Sequence, residues 1–299
     1  MITEKINTAI IPAAGLGTRM LPITATIPKE MLPIIDVPLI QYSINECIAC
    51  GLYNIILITK SFKYLIEHYL DCNINIYSIL EKNIQSHLVS KIKLICPSYV
   101  TITYIHQKNV KGLGNAILSA SPIMNNKPFA VLLPDIIINE NTNNLKKDNL
   151  SAMIKRFEYT GTSQVLVKKI HNIQNYGAVY CEKKRICSNE HVKIMKVIEK
   201  PNINEQTSNL SIVGRYVFSK NIWKNLKKIK PGKNDEFQLT DAIDLLIQDE
   251  IVEALLIKGL SYDCGNKLGY MQAFVQYGLY DKNFGKVFKN WIRSIISNN

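Results

Sequence analysis

Long apolar runs are missing from this sequence. None of its hydrophobic stretches reaches the ~18 residues that a bilayer-spanning helix needs, although 47% of its 299 residues are hydrophobic. The opening Met1-Ile2-Thr3-Glu4-Lys5 has no signal-peptide pattern, so a cytoplasmic protein with no membrane partner is expected. Clustered metal-ligating residues are missing too. The seven cysteines are scattered, and Cys47 and Cys50 form a Cys-x-x-Cys with no second pair. His68, His87, His106, His171 and His191 form no group at ligand spacing. These two absences exclude a zinc module, and Cys47 and Cys50 read as buried helix residues. The net charge is +12, yet no dense Arg/Lys tract carries interleaved aromatics, so no nucleic-acid partner is expected. No repeat, low-complexity linker or clear domain boundary interrupts residues 1–299, which read as a single domain.

Apolar runs alternating with helical patterns are plentiful. Strands are predicted over 8–12, 54–59, 100–106 and 130–133, and helices over 38–50, 63–69 and 74–95. That alternation predicts an α/β fold with a parallel sheet flanked by helices. The second half changes character, with short strands over 164–168, 177–181, 194–198 and 212–218 separated by polar loops. They read as a mixed extension of the sheet. A helix over 235–249, a strand over 251–257 and two terminal helices over 266–280 and 286–297 complete the chain.

The most informative stretch is 9–33. A buried strand runs into Ala14-Gly15-Leu16-Gly17-Thr18, and two cations follow, Arg19 and Lys29. Glycine lets backbone N–H groups approach a polyphosphate closely, and successive N–H groups make a concave anion site. A guanidinium fork and a compact ammonium both suit phosphate oxygens. The pattern fits neither the P-loop, for which Lys29 stands too far from the glycines, nor the dinucleotide fingerprint, because position 20 is Met20. It asks for a nucleoside triphosphate. Further on, Gln107 begins a loop that enters a helix through Gly112. Asp135 follows a buried strand, where α/β sheets bind ligands, and is the best candidate metal ligand. Asp263 is a second acid just past a strand end.

With Pro28-Lys29-Glu30-Met31-Leu32-Pro33, the loop resembles the signature of sugar-1-phosphate nucleotidyltransferases. Taken end to end, the chain is similar to the bacterial UTP–glucose-1-phosphate uridylyltransferases. The matching blocks include Lys111-Gly112-Leu113-Gly114, Leu133-Pro134-Asp135, Tyr176-Gly177, Glu199-Lys200-Pro201 and Val213-Gly214-Arg215-Tyr216. Two blocks are more particular to the uridylyltransferases, Gln238-Leu239-Thr240-Asp241-Ala242 and Asp263-Cys264-Gly265-Asn266-Lys267-Leu268-Gly269-Tyr270.

The resemblance implies a Rossmann-like three-layer α/β/α sandwich. Its nucleotide-binding half would be about 1–160, its sugar-binding half about 161–265, and its terminal helices about 266–299. It implies that UTP and glucose 1-phosphate are the substrates, Mg²⁺ the cofactor, and a homo-oligomer, dimer or tetramer, the assembly. Ala13, Ala14, Gly15 and Gly17 would meet the nucleotide, Gln107 the uracil edge, and Gly112 the base through its backbone. Arg19 and Lys29 would be catalytic, and Asp135 and Asp263 would hold Mg²⁺. Gly177, Glu199 and Val213 would bind glucose hydroxyls, and Lys200 the sugar-linked phosphate. Asn115 stands where the family usually has His, and His106 where it often has Arg. Two other readings are a thymidylyltransferase or other sugar-1-phosphate nucleotidyltransferase, and a catalytically silent UDP-sugar-binding regulator.

Overall fold

The computed structural model describes residues 4–71, 92–183, 185–202, 208–232 and 235–297. The helix expected over 74–95 lies mostly outside them. Four parallel strands build the first half of a nine-stranded sheet: β1 (Thr8–Pro12), β4 (Asn54–Thr59), β5 (Thr101–His106) and β6 (Phe129–Leu132), in the order β5-β4-β1-β6. Between β1 and β4 lies a small antiparallel pair, β2 (Pro33–Ile34) and β3 (Val37–Pro38). β1, β4 and β6 are near-continuous apolar runs because both of their faces are covered, whereas the edge strand β5 alternates polar and apolar residues and is only partly buried. Ile10, Ile56, Ile58 and Val131 enter one core cluster, while Ala9, Ile11, Ile55, Leu57, Ala130 and Leu132 enter another. That division makes three layers, a sheet between two sets of helices.

The second half is mixed, as expected. β11 (Leu210–Phe218) runs antiparallel to β6 and to β8 (Ser163–Lys169). β12 (Val252–Leu256) is parallel to β8. β10 (His191–Glu199) and β9 (Gly177–Cys181) follow antiparallel, and β9 also touches β11 through Ser211 and Ala178. β11 is irregular between Ile212 and Tyr216. Gly214 sits there with φ 92°, and a Cβ would press on Leu133 at 2.9 Å. A short ribbon completes the sheet architecture. β7 (Ile136–Ile138) pairs antiparallel with β13 (Ser261–Asp263), with Ile136 opposite Asp263. Asp263 is therefore the last residue of a strand, not a residue beyond one.

Helix α1 (Leu39–Ala49) carries Cys47, which is buried, and Cys50 caps it. Burial pushes both thiols well above their ordinary range, so they stay protonated and unreactive. After α1 come α2 (Tyr64–Leu70), α3 (Leu113–Leu118) and α4 (Ser121–Met124). Helix α5 (Leu150–Thr160) was not anticipated. It buries Leu150, Met153, Ile154 and Phe157 at three- and four-residue spacing and stops at Gly161 in a left-handed conformation. Then come α6 (Ile222–Leu226) and α7 (Leu239–Asp249). Helix α7 starts later than expected for a tertiary reason. The Phe237 N–H donates to Lys111 O at 2.7 Å, and Phe237 O accepts from Gly114 N–H at 2.9 Å. Residues 235–238 are thus pinned against the Gly112 loop and cannot coil. The chain closes with α8 (Lys267–Tyr280) and α9 (Gly285–Ser297). Among the described residues, no helix is long and apolar enough to cross a membrane.

One buried charge ties the two halves together. Arg215 on β11 is fully buried and donates to Glu46 of α1 at 2.9 Å. It also donates to Leu133 O at 3.0 Å and Ile136 O at 2.8 Å. Those two carbonyls bracket Pro134-Asp135, so the guanidinium holds the turn that carries Asp135. Its five donors in a rigid fork suit this task, which a lysine could not duplicate.

Candidate active site

A cavity of about 390 Å³ opens at the carboxyl ends of β1 and β6, facing the mixed half of the sheet. Ala14, Gly15, Arg19, Lys29, Gln107, Gly112, Asp135, Gly177, Glu199, Val213 and Asp263 line it. The remaining sequence candidates, Ala13, Gly17 and Lys200, stand just off the wall. Ala13 is fully buried behind the loop, donating its N–H to Ile58 O at 2.7 Å and accepting from Lys63 Nζ at 2.6 Å. Gly17 has φ 68°, and Thr24 Oγ1 donates to its carbonyl at 2.8 Å. Its role is to shape the turn, which L side chains would strain. Lys200, also left-handed at φ 45°, lies 3.6 Å from Glu199 Oε1.

The electrostatic centre is Lys29 with Asp135, joined at 2.5 Å in a pair about four-fifths buried. Burial alone would lower the Lys29 pKa, but Asp135, Glu30 and Asp263 outweigh it and hold it above its ordinary value. Burial would likewise raise Asp135, yet the Lys29 ammonium and its hydrogen bond bring that carboxyl below its ordinary value. Behind Lys29 a second pair is almost fully enclosed. Lys63 Nζ meets Glu30 Oε2 at 2.8 Å while also holding the Ala13 carbonyl. The pair fastens the glycine-rich loop to the segment bearing Lys29. Burial pushes Glu30 up and Lys63 down, and their mutual attraction offsets part of each shift.

Asp135 and Asp263 meet through the β7–β13 ribbon. The Cys264 N–H donates to Asp135 O at 2.8 Å, and the Gly265 N–H to Asp263 Oδ1 at 3.0 Å. A Cβ on Gly265 would lie 2.8 Å from Asp135 Oδ2 and 3.0 Å from Asp263 Oδ1. Both carboxylates thus converge on the space beside Gly265, where even one methyl group would crowd them. Among the described residues no third His, Cys, Asp or Glu joins them. Two hard oxygen donors around such a gap suit a divalent cation that takes its other ligands from water and substrate phosphate. Tyr176 donates to Asp263 Oδ2 at 3.3 Å, and Lys168 Nζ stands 5.8 Å from the centre of the Tyr176 ring.

On the mixed half, Glu199 and Gly177 face each other across the β9–β10 ladder. A Cβ on Gly177 would meet Ile212 and Thr240 at 3.0 and 3.1 Å and the Glu199 carboxylate at 3.4 Å. Only glycine lets the backbone lie this close. Burial raises the Glu199 carboxyl against the opposing pull of Lys200 and Thr240. On the other half, the Gln107 N–H is fixed to Thr59 O at 2.8 Å, and its side-chain amide donates to Asn115 Oδ1 at 2.8 Å.

A strand-end cavity holding paired carboxylates, a glycine-rich loop and a buried lysine is built for nucleotide phosphates. Residues 8–278 match the nucleotidyl transferase family. The chain belongs to that family. It is 50% identical over 291 residues to the UTP–glucose-1-phosphate uridylyltransferase of Escherichia coli K12, covering 97% of this chain and 96% of that one. Among solved structures, a UTP-bound UDP-glucose pyrophosphorylase from Acinetobacter baumannii superposes with a TM-score of 0.88 at 36% identity, covering 96% of this chain and 98% of that one. A UDP-glucose pyrophosphorylase complexed with UDP-glucose gives 0.81 at 34% identity, covering 92% and 100%. Within this nucleotidyl transferase, Lys63, Lys168, Thr240 and the positioning role of Arg215 escaped sequence reasoning. Glu30, Arg215 and Thr240 did lie inside motif blocks, which was the available signal. Nothing in Lys60-Ser61-Phe62-Lys63 marks Lys63 as buried.

Proposed function

We infer that the chain transfers the uridylyl group of UTP to α-D-glucose 1-phosphate, forming UDP-glucose and pyrophosphate. The observation that carries this reading is the convergence of Lys29, Asp135 and Asp263 on one cavity that also exposes Gln107 and the Gly177–Glu199 pair. An oxygen of the sugar phosphate bonds to the α-phosphorus of UTP as the bond to the β-phosphate breaks, and pyrophosphate leaves. The nucleophile is already an anion, so no protein base is needed. The obstacle is repulsion: two unit charges ~4 Å apart cost about 4 kcal/mol at an effective dielectric near 20, and several such pairs meet here. Lys29 places positive charge at the α-phosphate, and Arg19 holds the pyrophosphate. Lys200 meets the sugar-linked phosphate, and Gly177, Glu199 and Val213 hold the glucose hydroxyls. Ala14, Gly15 and Gly112 offer backbone groups to the nucleoside, and Gln107 its amide. Asp135 and Asp263 would hold Mg²⁺, which would supply positive charge to offset that of the phosphates. The nucleotide is carried by residues 1–160 and the sugar by 161–265.

A panel of ATP, GTP, CTP, UTP and dTTP with glucose 1-phosphate, read by pyrophosphate release, tests the reading. UTP turns over fastest, activity vanishes under EDTA, and Mg²⁺ restores it. Binding of UDP-glucose without turnover on any triphosphate marks a silent regulator instead, and a dTTP preference marks a thymidylyltransferase. Full activity in thoroughly chelated buffer removes the two-aspartate metal site.

We further propose a homo-oligomer, dimer or tetramer, assembled through α9. Val287, Trp291 and Ile295 recur every four residues on this helix and stay 71%, 57% and 41% exposed. Such a stripe on a helix face is a contact surface. The aromatics of α8 divide, with Tyr277 buried and Phe274 and Tyr280 exposed. Sedimentation of Trp291→Glu/Ile295→Glu should give a smaller species than the unaltered chain. An identical sedimentation coefficient for both would sink this interface.

A further inference from the structure

We propose that Lys63 is a positioning residue of this enzyme: it aims the Ala14 N–H at the nucleotide and fixes where Lys29 stands beside that loop. The inference rests on the uridylyl-transfer reading and deepens it. Lys63 lies between β4 and α2 and is almost wholly enclosed. Its Nζ donates to two acceptors, Ala13 O at 2.6 Å and Glu30 Oε2 at 2.8 Å. Ala13 is held on this side twice over, because its N–H donates to Ile58 O of β4 at 2.7 Å. The Ala13–Ala14 peptide is trans, and in a trans peptide the C=O and N–H point in opposite directions. A carbonyl turned back onto Lys63 therefore turns the Ala14 N–H away from Lys63. Lys63 stands behind the cavity wall, whereas Ala14 and Gly15 form part of it, so that direction leads to the ligand. The Ala14 N–H has no acceptor among the described residues, and a backbone donor in that state calls for a partner.

The same ammonium governs the cationic side of the arrangement. Glu30 follows Lys29 in the short turn Lys29–Met31 and is fully buried. Pinning Glu30 pins the backbone from which Lys29 reaches Asp135. The two arms end side by side, since a Cβ built on Gly15 would stand 3.9 Å from Lys29 Nζ. A neutral donor and a cation are thus presented to one ligand from a single anchor behind them. Such preorganisation removes the cost of ordering a loose loop when the ligand binds. Stability alone does not account for the pair. Glu30 Oε1 is buried with no partner among the described residues, and an apolar pair of similar volume would leave no such orphan.

The test compares Glu30→Gln with Lys63→Met/Glu30→Gln, reading UDP-glucose affinity by calorimetry beside the melting temperature. In Glu30→Gln the amide oxygen still accepts from Lys63 and the Ala13 carbonyl stays held. Its dissociation constant stays within about threefold of that of the unaltered enzyme. The double variant leaves neither charge of the pair, yet nothing holds the carbonyl, and the dissociation constant rises by about tenfold or more. A merely structural pair would move the melting temperature and leave the affinity of the folded protein alone. Equal affinity in the two folded variants therefore overturns the proposal. Hydrogen exchange on the unaltered enzyme decides the matter should the double variant not fold. The Ala14 amide gains protection when UDP-glucose is added, and exchange there that UDP-glucose leaves untouched overturns the proposal. If the unaltered enzyme binds no UDP-glucose, the uridylyl-transfer reading fails and takes this inference with it.

Discussion

Lys29→Ala should lower kcat by about 10²–10³ in the pyrophosphate-release assay, the scale of losing one transition-state charge partner, while the protein still folds. The Lys29 ammonium is already charged and seated before substrate arrives, because Asp135, Glu30 and Asp263 hold its pKa up against burial. Substrate phosphate meets a cation that needs no reorganisation. The pH dependence has a definite sign. Lys29 is raised, so its contribution to stability is full below its unfolded pKa and lost as pH rises through its folded one. Asp135 is lowered, so its contribution is present above its unfolded pKa and lost as pH falls through its folded one. The pair is therefore intact between about pH 4 and 10. In the variant, burial acts on Asp135 without the opposing ammonium, its pKa climbs, and acid unfolding begins at a higher pH. Thermal melts across pH 4–7 measure this, as a set of midpoints. Near-normal turnover in a folded Lys29→Ala protein would remove Lys29 from the chemistry.

Gly265→Ala should cut activity by about 10² or more by crowding the two carboxylates proposed to hold the metal, the cost expected when preorganised charge at the reacting centre is displaced. Its Cβ would stand 2.8 and 3.0 Å from the two carboxylate oxygens, too close for either to remain where it is. Gly265 is not left-handed, unlike Gly17 or Gly214, so alanine strains no backbone there. The loss should appear as a rise in the Mg²⁺ concentration for half-maximal activity. Wild-type Mg²⁺ dependence in this variant would show that the gap between Asp135 and Asp263 holds nothing the reaction needs.

Much of this site was legible before any coordinates. β1 and β4 were readable because unbroken apolar runs ending at glycine or polar residues have few alternatives in a parallel sheet. The turn at Gly15 and Gly17 and the position of Asp135 followed from that frame. Helix α5 was missed although Leu150, Met153, Ile154 and Phe157 carry its period, because the Asn-rich stretch before it reads as loop. The start of α7 was misplaced because the bonds from Phe237 to Lys111 and Gly114 join segments distant in sequence. Lys63 and Arg215 show a harder limit. A lysine or arginine looks alike in sequence whether solvated or enclosed, and only the tertiary fold supplies Glu30, Glu46 and the carbonyls that make enclosure tolerable. Asn115 was visible as a departure from the family pattern, but its hydrogen bond with Gln107 needed the geometry of α3 against the end of β5.

The pairing of β7 with β13 has a consequence for biosynthesis. Asp135 leaves the ribosome well before Asp263, with β8 to β12 made in between. A nascent chain can lay down the parallel half with its glycine-rich loop and Lys29, yet it lacks the second acid until β13 is made. A chain cut short before β13 therefore lacks one of the two carboxylates that the ribbon brings together.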